Sequence, residues 1–392
     1  MKGFFKQKQP ITPLPYPYYF LPVVIITLIG LFDSVYLTVS HYRNYVDIGY
    51  QSFCAISQAF NCDTVSQSPY SILWGVPLSV WGMLGYSFFL ILLGFAWHPA
   101  ANQKRVWTLL MLIALGFSAY SLVLAYISAY LIGTHCIMCI LSYAASMALL
   151  FYTWLIRNRF GCEPIFKAFK LDIQYLLDFS KASTSIVSAF GGMAVIMILA
   201  FPAYWNLEPP AISKDVSTGV TKAGHPWIGA ENPELTIVEF SDYRCFQCKK
   251  MHFYLRRLID ANPDKIRLVH RHFPMDHTIN PIVNEPFHPG AAKFAIISLF
   301  ALEKGKFWEM NDVLYDIPRQ VREINLRYFA KKTEIEFDEI RHVFQDKRLW
   351  EKLIVDISDG LKYELTGTPG FVINDQVYAA HIPPEILRAY LK

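Results

Sequence analysis

Seven cysteines occur in this 392-residue sequence, and six of them form three close pairs. Cys54 and Cys62 have seven residues between them, in a polar stretch between two hydrophobic segments. Cys136-Ile-Met-Cys139 opens a hydrophobic segment, and Cys245-Phe-Gln-Cys248 follows a strand-like run in the C-terminal part. A dithiol oxidised to a disulfide gives up two electrons and two protons, and a thiolate can pass the disulfide on through a mixed intermediate. Three such pairs in one chain read as a relay for electron pairs rather than as a set of structural bridges. Cys162 is left over and reads as an isolated reduced thiol.

Two kinds of element must position these pairs. Apolar residues make up 53% of the chain, and its mean hydropathy is +0.26. The charge distribution changes near residue 206. Residues 1–205 carry 11 Lys/Arg and 6 Asp/Glu, and the remaining residues carry 25 and 26. A charge-poor membrane module therefore precedes a near-neutral soluble module. Spanning a bilayer takes about 20 mostly apolar residues, and five such stretches occur. They run from about Tyr18 to His41, from Pro77 to Trp97, through Val106 to Ile156 as two spans divided at Gly133-Thr134, and from about Ser185 to Tyr204.

Lys and Arg favour the cytoplasmic side of a membrane. Lys2, Lys6 and Lys8 precede the first span, Lys104 and Arg105 follow the second, and Arg157, Arg159, Lys167, Lys170 and Lys181 follow the fourth. Only Arg43 lies in the intervening loops. This pattern predicts an inner-membrane protein with a cytoplasmic N-terminus, no cleavable signal peptide, and everything after about Asn206 outside. All three cysteine pairs then share the outer face, where disulfides persist, and Cys162 falls on the cytoplasmic side.

In the C-terminal part, Leu235-Thr-Ile-Val-Glu-Phe240 reads as a buried strand. A short turn leads from it to Cys245, and Lys249 to Ile259 reads as helix. A Cys-x-x-Cys at a helix start after a strand is the thioredoxin-like arrangement. The helix N-terminus favours a thiolate on the first cysteine. Thr368-Pro369 stands just before a second strand-like run; in thioredoxin-like folds the proline at this place is cis and packs against the dithiol, and the resemblance implies the same here. The segment from about Pro289 to Lys362 is helix-forming and separates the two halves of the pattern.

Such a helical insertion resembles the DsbA type of disulfide oxidase. So do Val238-Glu-Phe-Ser-Asp-Tyr-Arg-Cys245 and Arg271-His-Phe-Pro274. The resemblance assigns Glu239 as a buried acid, with a pKa expected to rise by desolvation, able to pass protons during exchange. It makes Cys245 the exposed, attacking cysteine and Cys248 the resolving one. The Phe-Gln dipeptide between them departs from the Pro-His of the best-known members.

The membrane part, about residues 18–157, resembles the vitamin K epoxide reductase family in its bacterial form fused to a thioredoxin-like domain. The matching pieces are Asp33-Ser in the first helix, Cys54-x7-Cys62, Ser68, Tyr70-Ser71, Gly75-Val-Pro77 and Cys136-x-x-Cys139. The resemblance implies that Cys139 faces a membrane quinone, ubiquinone or menaquinone, and that Cys136 exchanges with Cys62 and Cys54 with Cys245. Ser68 would cap the quinone head group, and Ser71 and Trp74 would join it in the pocket, with Trp81 and Tyr86 as further aromatic candidates. Asp33, an ionisable group inside an apolar span, is a functional candidate by default, with a structural role in holding the loop as the alternative.

The expected architecture is an all-α membrane bundle of four helices (1–160), a linker with a fifth transmembrane helix (161–206), and a soluble α/β thioredoxin-like domain with a helical insertion (207–392). The expected function is disulfide generation in exported proteins, with electrons passing to the membrane quinone pool. The alternative is reduction of a quinone or quinone epoxide with the fused domain as donor. A transporter or zinc protein with structural thiols is disfavoured, because Cys136 and Cys139 begin an apolar helix and no histidine cluster accompanies the pairs; no metal is expected. A basic face, a Gly-rich nucleotide loop and a haem motif are all missing, so nucleic acid is not an expected partner.

Overall fold

Long apolar helices make up the N-terminal part. In the computed structural model, the described residues are 14–56, 59–161, 163–179, 181–213, 215–317 and 323–391. Cys162, Lys2, Lys6 and Lys8, named above, lie outside them. The chain divides into two compact units: residues 1–41 with 52–203, and residues 42–51 with 204–392.

The first unit is built on α1 (Tyr16–Val46), followed by the short helix α2 (Cys62–Ser66) and a two-stranded hairpin, β1 (Ile72–Leu73) and β2 (Val76–Pro77). Then come α3 (Leu78–Trp97), α4 (Trp107–Tyr126), α5 (Ile137–Phe160), α6 (Ile165–Phe179) and α7 (Lys181–Ala200). Among the described residues, four helices are long and apolar enough to cross a membrane: α1, α3, α4 with its continuation to Ile132, and α5. A fifth crossing is available if α6 and the apolar part of α7 act as one broken span. Val23, Phe89, Leu93, Trp107, Leu110 and Leu149 form the buried core. Large apolar side chains also cover the outside, among them Ile25, Phe32, Leu122, Val123 and Phe151. Helices apolar on every face suit a lipid surround.

The division of the long apolar run has a local cause. After α4 the chain widens into a π-helical turn, Ile127–Ile132, and ends at Gly133 with φ of 74°. That left-handed position favours glycine. The last span lies about four residues earlier than expected: α7 begins at Lys181 and stops at Ala200, because Pro202 cannot continue a helix. The carboxylate of Asp172 on α6 accepts from the amides of Thr108 and Leu109 at 2.9 and 3.2 Å, capping the start of α4.

The second unit contains a six-stranded mixed sheet, ordered β3-β4-β6-β5-β7-β8. The strands are β3 (Ser217–Val220), β4 (Pro226–Gly229), β5 (Leu235–Ser241), β6 (Ile266–His272), β7 (Gly370–Ile373) and β8 (Gln376–Ala379). Only β5 and β6 pair in parallel, and α8 (Phe246–Ala261) makes the crossover between them. Between β6 and β7 lie α9 (Ala291–Glu303), α10 (Phe307–Asp316), α11 (Leu326–Thr333), α12 (Phe337–Ile340) and α13 (Lys347–Lys362); α14 (Pro384–Tyr390) closes the unit. This is the α/β thioredoxin-like fold with its helical insertion. Residues 42–51 count with this unit because Lys250 of α8 is buried and its Nζ donates to the carbonyls of Asn44 and Asp47, at 2.9 and 3.0 Å.

Candidate functional site

Two of the three dithiols meet in the first unit. Cys54 is disulfide-bonded to Cys62, and Cys136 to Cys139. Cys54, Cys62 and Cys136 form one buried cluster, packed against Leu37, Val65, Met138 and Cys139. Both cysteines of the loop pair are therefore buried, although the stretch around them is polar, and the buried Ser52 hydroxyl lies 3.6 Å from the Cys54 sulfur. Backbone pairing produces this closeness. The Asn61 amide donates to the His135 carbonyl at 2.9 Å, and the His135 amide donates to the Ala59 carbonyl at 2.8 Å. Asn61 also caps α2, its Oδ1 accepting from the Thr64 amide at 3.0 Å. Cys62 and Cys136 follow directly after the two paired residues.

The Cys-x-x-Cys motifs of the two units share one local geometry. Cys136 is the N-cap of α5, and its sulfur accepts from the Cys139 amide at 3.1 Å. Cys245 is the N-cap of α8, and its sulfur accepts from the Cys248 amide at 3.3 Å. In each case the first sulfur sits where unpaired amides and the helix dipole favour negative charge. The α8 helix starts three residues before the expected Lys249, so Cys248 lies within it.

A cavity of about 400 Å³ opens beside the membrane-unit sulfurs, a size suited to a small organic ligand. Its lining includes Cys62, Cys136, Cys139, Ser68, Ser71 and Trp74, together with Trp81, Tyr86 and Tyr143. Cys54 and Asp33 are not part of the lining. The Ser68 hydroxyl donates to the Val65 carbonyl at 2.7 Å, and Ser71 donates to the Ser68 carbonyl at 2.8 Å. In this structure the Ser68 hydroxyl is thus turned to the backbone of its own loop. His41 reaches Ser71 through Nε2 at 3.3 Å. Asp33 is buried one layer behind the wall and accepts a hydrogen bond from Ser142, which lines the cavity.

Trp74 and Gly75 form the β1–β2 turn, with φ of 53° and 73°. A two-residue hairpin turn with both φ positive is normally filled by Asn-Gly, and a bulky residue there is strained. Trp74 is also exposed, and it packs edge-on against Trp81 at 6.0 Å between centroids. The Trp81 indole donates to the Leu73 carbonyl at 3.0 Å, so the hairpin is tied to the start of α3.

In the second unit, Cys245 and Cys248 are both reduced, 8% and 0% exposed. Cys245 is thus less open than the exposed cysteine expected. Its Sγ lies 3.4 Å from the Thr368 carbonyl, under the loop that carries the cis Thr368-Pro369 bond. Burial pushes the Cys248 thiol well up, with further contributions from Cys245 and from the charge of Asp242. Cys248 is therefore held protonated.

Asp242 is a carboxylate that the sequence reading passed over. It is buried, accepting from His288 Nδ1 (2.7 Å) and from the amides of Met275 (2.8 Å) and Arg244 (2.7 Å). Burial opposes its charge, but His288 and the two amides together hold it below the usual carboxylate range. Its place three residues before Cys245 was a usable signal; His288, 43 residues beyond that cysteine, offered none.

Glu239 is fully buried on β5. Burial alone would raise its pKa, as the sequence reading supposed. His252 Nδ1 at 2.7 Å and His270 at 3.5 Å reverse this and hold the carboxyl down to about 2. The correction has a simple origin: both imidazoles come from distant positions and were not visible as neighbours of Glu239.

Comparison with known proteins matches this division. Residues 21–154 match the vitamin K epoxide reductase family model, and residues 221–392 match a thioredoxin model. The Na(+)/H(+) antiporter NhaA 3 of Salinispora tropica is 27% identical over 146 residues, covering 37% of this chain and 21% of the antiporter. The chain thus spans about a fifth of the length of that curated relative. Among solved structures, a thioredoxin-like oxidoreductase from Silicibacter pomeroyi is 21% identical, with a TM-score of 0.36 over 44% of this chain and 91% of its own. The thiol-disulfide exchange protein alpha-DsbA2 of Wolbachia pipientis is 20% identical, with a TM-score of 0.35 over 42% and 84%. Residues 21–154 are a vitamin K epoxide reductase family domain, joined in one chain to a thioredoxin domain at residues 221–392.

Proposed function

We propose that the chain is a quinone-linked thiol–disulfide oxidoreductase that generates disulfides in exported proteins. A client dithiol reduces the Cys245–Cys248 disulfide through a mixed disulfide on Cys245, and Cys248 resolves the reverse step. The reduced pair then reduces Cys54–Cys62 by attack of Cys245 on Cys54. Cys62 passes the electron pair on through Cys136, and Cys139 faces the acceptor. Each transfer exchanges one disulfide for one dithiol. A membrane quinone, bound in the cavity, takes up the final two electrons and two protons to give the quinol.

The observation that carries this reading is the buried cluster of Cys54, Cys62 and Cys136 beside a cavity that Cys62, Cys136 and Cys139 help line. Exchange between two pairs needs sulfurs in reach of one another, and a lipid-soluble acceptor needs an apolar pocket beside the last pair. The quinone association of the vitamin K epoxide reductase family supports the acceptor. The lysine and arginine distribution supports an inner-membrane location with the thioredoxin domain outside, and the tether makes exchange between domains intramolecular.

The test uses the purified full chain in detergent with a reduced dithiol peptide and ubiquinone or menaquinone. Peptide disulfide and quinol should appear in equal amounts. A Cys248→Ala variant should accumulate a Cys54–Cys245 mixed disulfide on a non-reducing gel. Peptide oxidation that proceeds without consuming quinone would overturn the reading.

A further inference from the structure

Glu239, His252 and His270 converge inside the second unit. Glu239 and His270 are register partners in the parallel β5–β6 pair, so their side chains leave the same face of the sheet. His252 lies on α8, the crossover helix between those strands. One ligand atom from each residue lies within 4.8 Å of the other two, and all three side chains are at most 1% exposed.

The polar groups here are incompletely used. Glu239 Oε1 and both ring nitrogens of His270 make no hydrogen bond among the described residues, although His270 Nδ1 lies within ion-pair distance of Glu239 Oε2, at 3.5 Å. Buried polar groups are nearly always bonded, and each one left alone costs about 1–3 kcal/mol. The surroundings offer mostly aromatic surface: Tyr243 stacks on His270, Phe307 tilts against it, and Trp308 stacks on His252.

We propose that Glu239, His252 and His270 bind a single divalent transition-metal ion of the zinc class. Two imidazole nitrogens and one carboxylate oxygen suit zinc, cobalt or nickel, whereas magnesium and calcium prefer oxygen donors throughout. Tetrahedral ligands at about 2.1 Å from zinc lie about 3.4 Å apart, so pairs up to 4.8 Å apart close by about 1.4 Å at most, and His252 Nδ1 and Glu239 Oε2, at 2.7 Å, open by about 0.7 Å. Asn311 supplies the outer support. Its amide lies 3.0 Å from His252 Nε2, and by turning over it presents its carbonyl to the Nε2–H of a histidine ligating through Nδ1. The ion would join β5, β6 and α8, the helix that carries Cys248, into one cross-linked unit. Because the site is closed, the ion enters during folding, and its binding energy adds to folding stability. The proposal does not depend on the electron relay.

The untagged full chain is produced in zinc- or cobalt-supplemented medium and purified in detergent with its three cysteine pairs oxidised, so that paired thiolates cannot ligate. Metal content is then measured by mass spectrometry. The expected result is about one equivalent per chain, retained through dialysis against chelator and reduced at least ~5-fold in His270→Ala and Glu239→Gln. His270→Cys should keep cobalt and add a thiolate-to-cobalt absorption band, which decides the matter should either of those two variants fail to fold. Folded wild-type chain with less than about 0.1 equivalent would overturn the proposal. So would equal metal content in wild type and the folded variants, or a folded His270→Cys chain without the new band.

Discussion

The Asn61 amide donates to the His135 carbonyl at 2.9 Å, and this bond, with the return bond from the His135 amide to Ala59, sets the neighbouring Cys62 and Cys136 into one buried cluster. The loop dithiol is thereby docked onto the helical dithiol. Exchange between them then needs a change of sulfur partner rather than a long excursion of the loop.

This docking predicts a trapped intermediate. With Cys54→Ser and Cys139→Ser together, the remaining sulfurs of the two pairs, Cys62 and Cys136, should oxidise to a single disulfide, identified by peptide mass spectrometry. Adding Asn61→Ala removes the cap of α2, a loss of about 1 kcal/mol, and should slow formation of that bond. Free thiols at both positions after mild oxidation of a folded protein would argue that the cluster does not exchange.

Trp74 holds a backbone conformation that Asn adopts more readily. Trp74→Asn should therefore leave the hairpin intact and relieve about 1 kcal/mol of strain. Its loss from the cavity wall should raise the KM for quinone severalfold with little change in transfer from thiols to Cys136–Cys139. An unchanged KM would show that Trp74 serves only to anchor the hairpin.

Asp242 adds negative charge beside the Cys248 thiol. Asp242→Asn removes that charge and should lower the Cys248 pKa, read from thiolate ultraviolet absorbance in a Cys245→Ala, Cys162→Ser background. The Asn oxygen can keep the bonds from Met275 and His288, which share Oδ2, only by setting its NH2 against the Arg244 amide that Oδ1 accepts from, so stability should also fall, by about 2 kcal/mol. If the thiol titrates unchanged in folded protein, the charge of Asp242 does not govern it.

Burial, followed by the charges of His270, His225 and Arg271, pushes the His272 pKa well below its ordinary value. The folded chain thus refuses a proton that the unfolded chain accepts below about pH 6.5. The stability of the second unit should be fully present above that pH and fall as the pH drops, by about 1.4 kcal/mol per pH unit from this group. His272→Gln should flatten the dependence by that amount. Hydrogen exchange of β6 amides at pH 7.5 and 5.5, corrected for intrinsic rates, provides the measurement, and equal protection at both would contradict it.

Much of the architecture was readable along the chain because it is encoded in short windows. Unbroken apolar runs mark the four long helices, Gly133 marks the break after α4, and the strand leading to Cys245-x-x-Cys248 marks the β5–α8 unit. The spacing of the six cysteines was equally local. Which groups stand next to those sulfurs was not. Glu239 lies near the end of β5 and Asp242 directly after it, yet only the packing of α8, the segment before α9 and the β5–β6 register decides that His288 meets Asp242 and that His252 and His270 meet Glu239. The same holds for Ser68, whose hydroxyl turns to Val65, and for Asn61 and His135, which are 74 residues apart. Periodicity and composition act over a few turns of chain, whereas the electrostatics of a buried thiol depend on side chains within a few ångströms, and only tertiary packing chooses those.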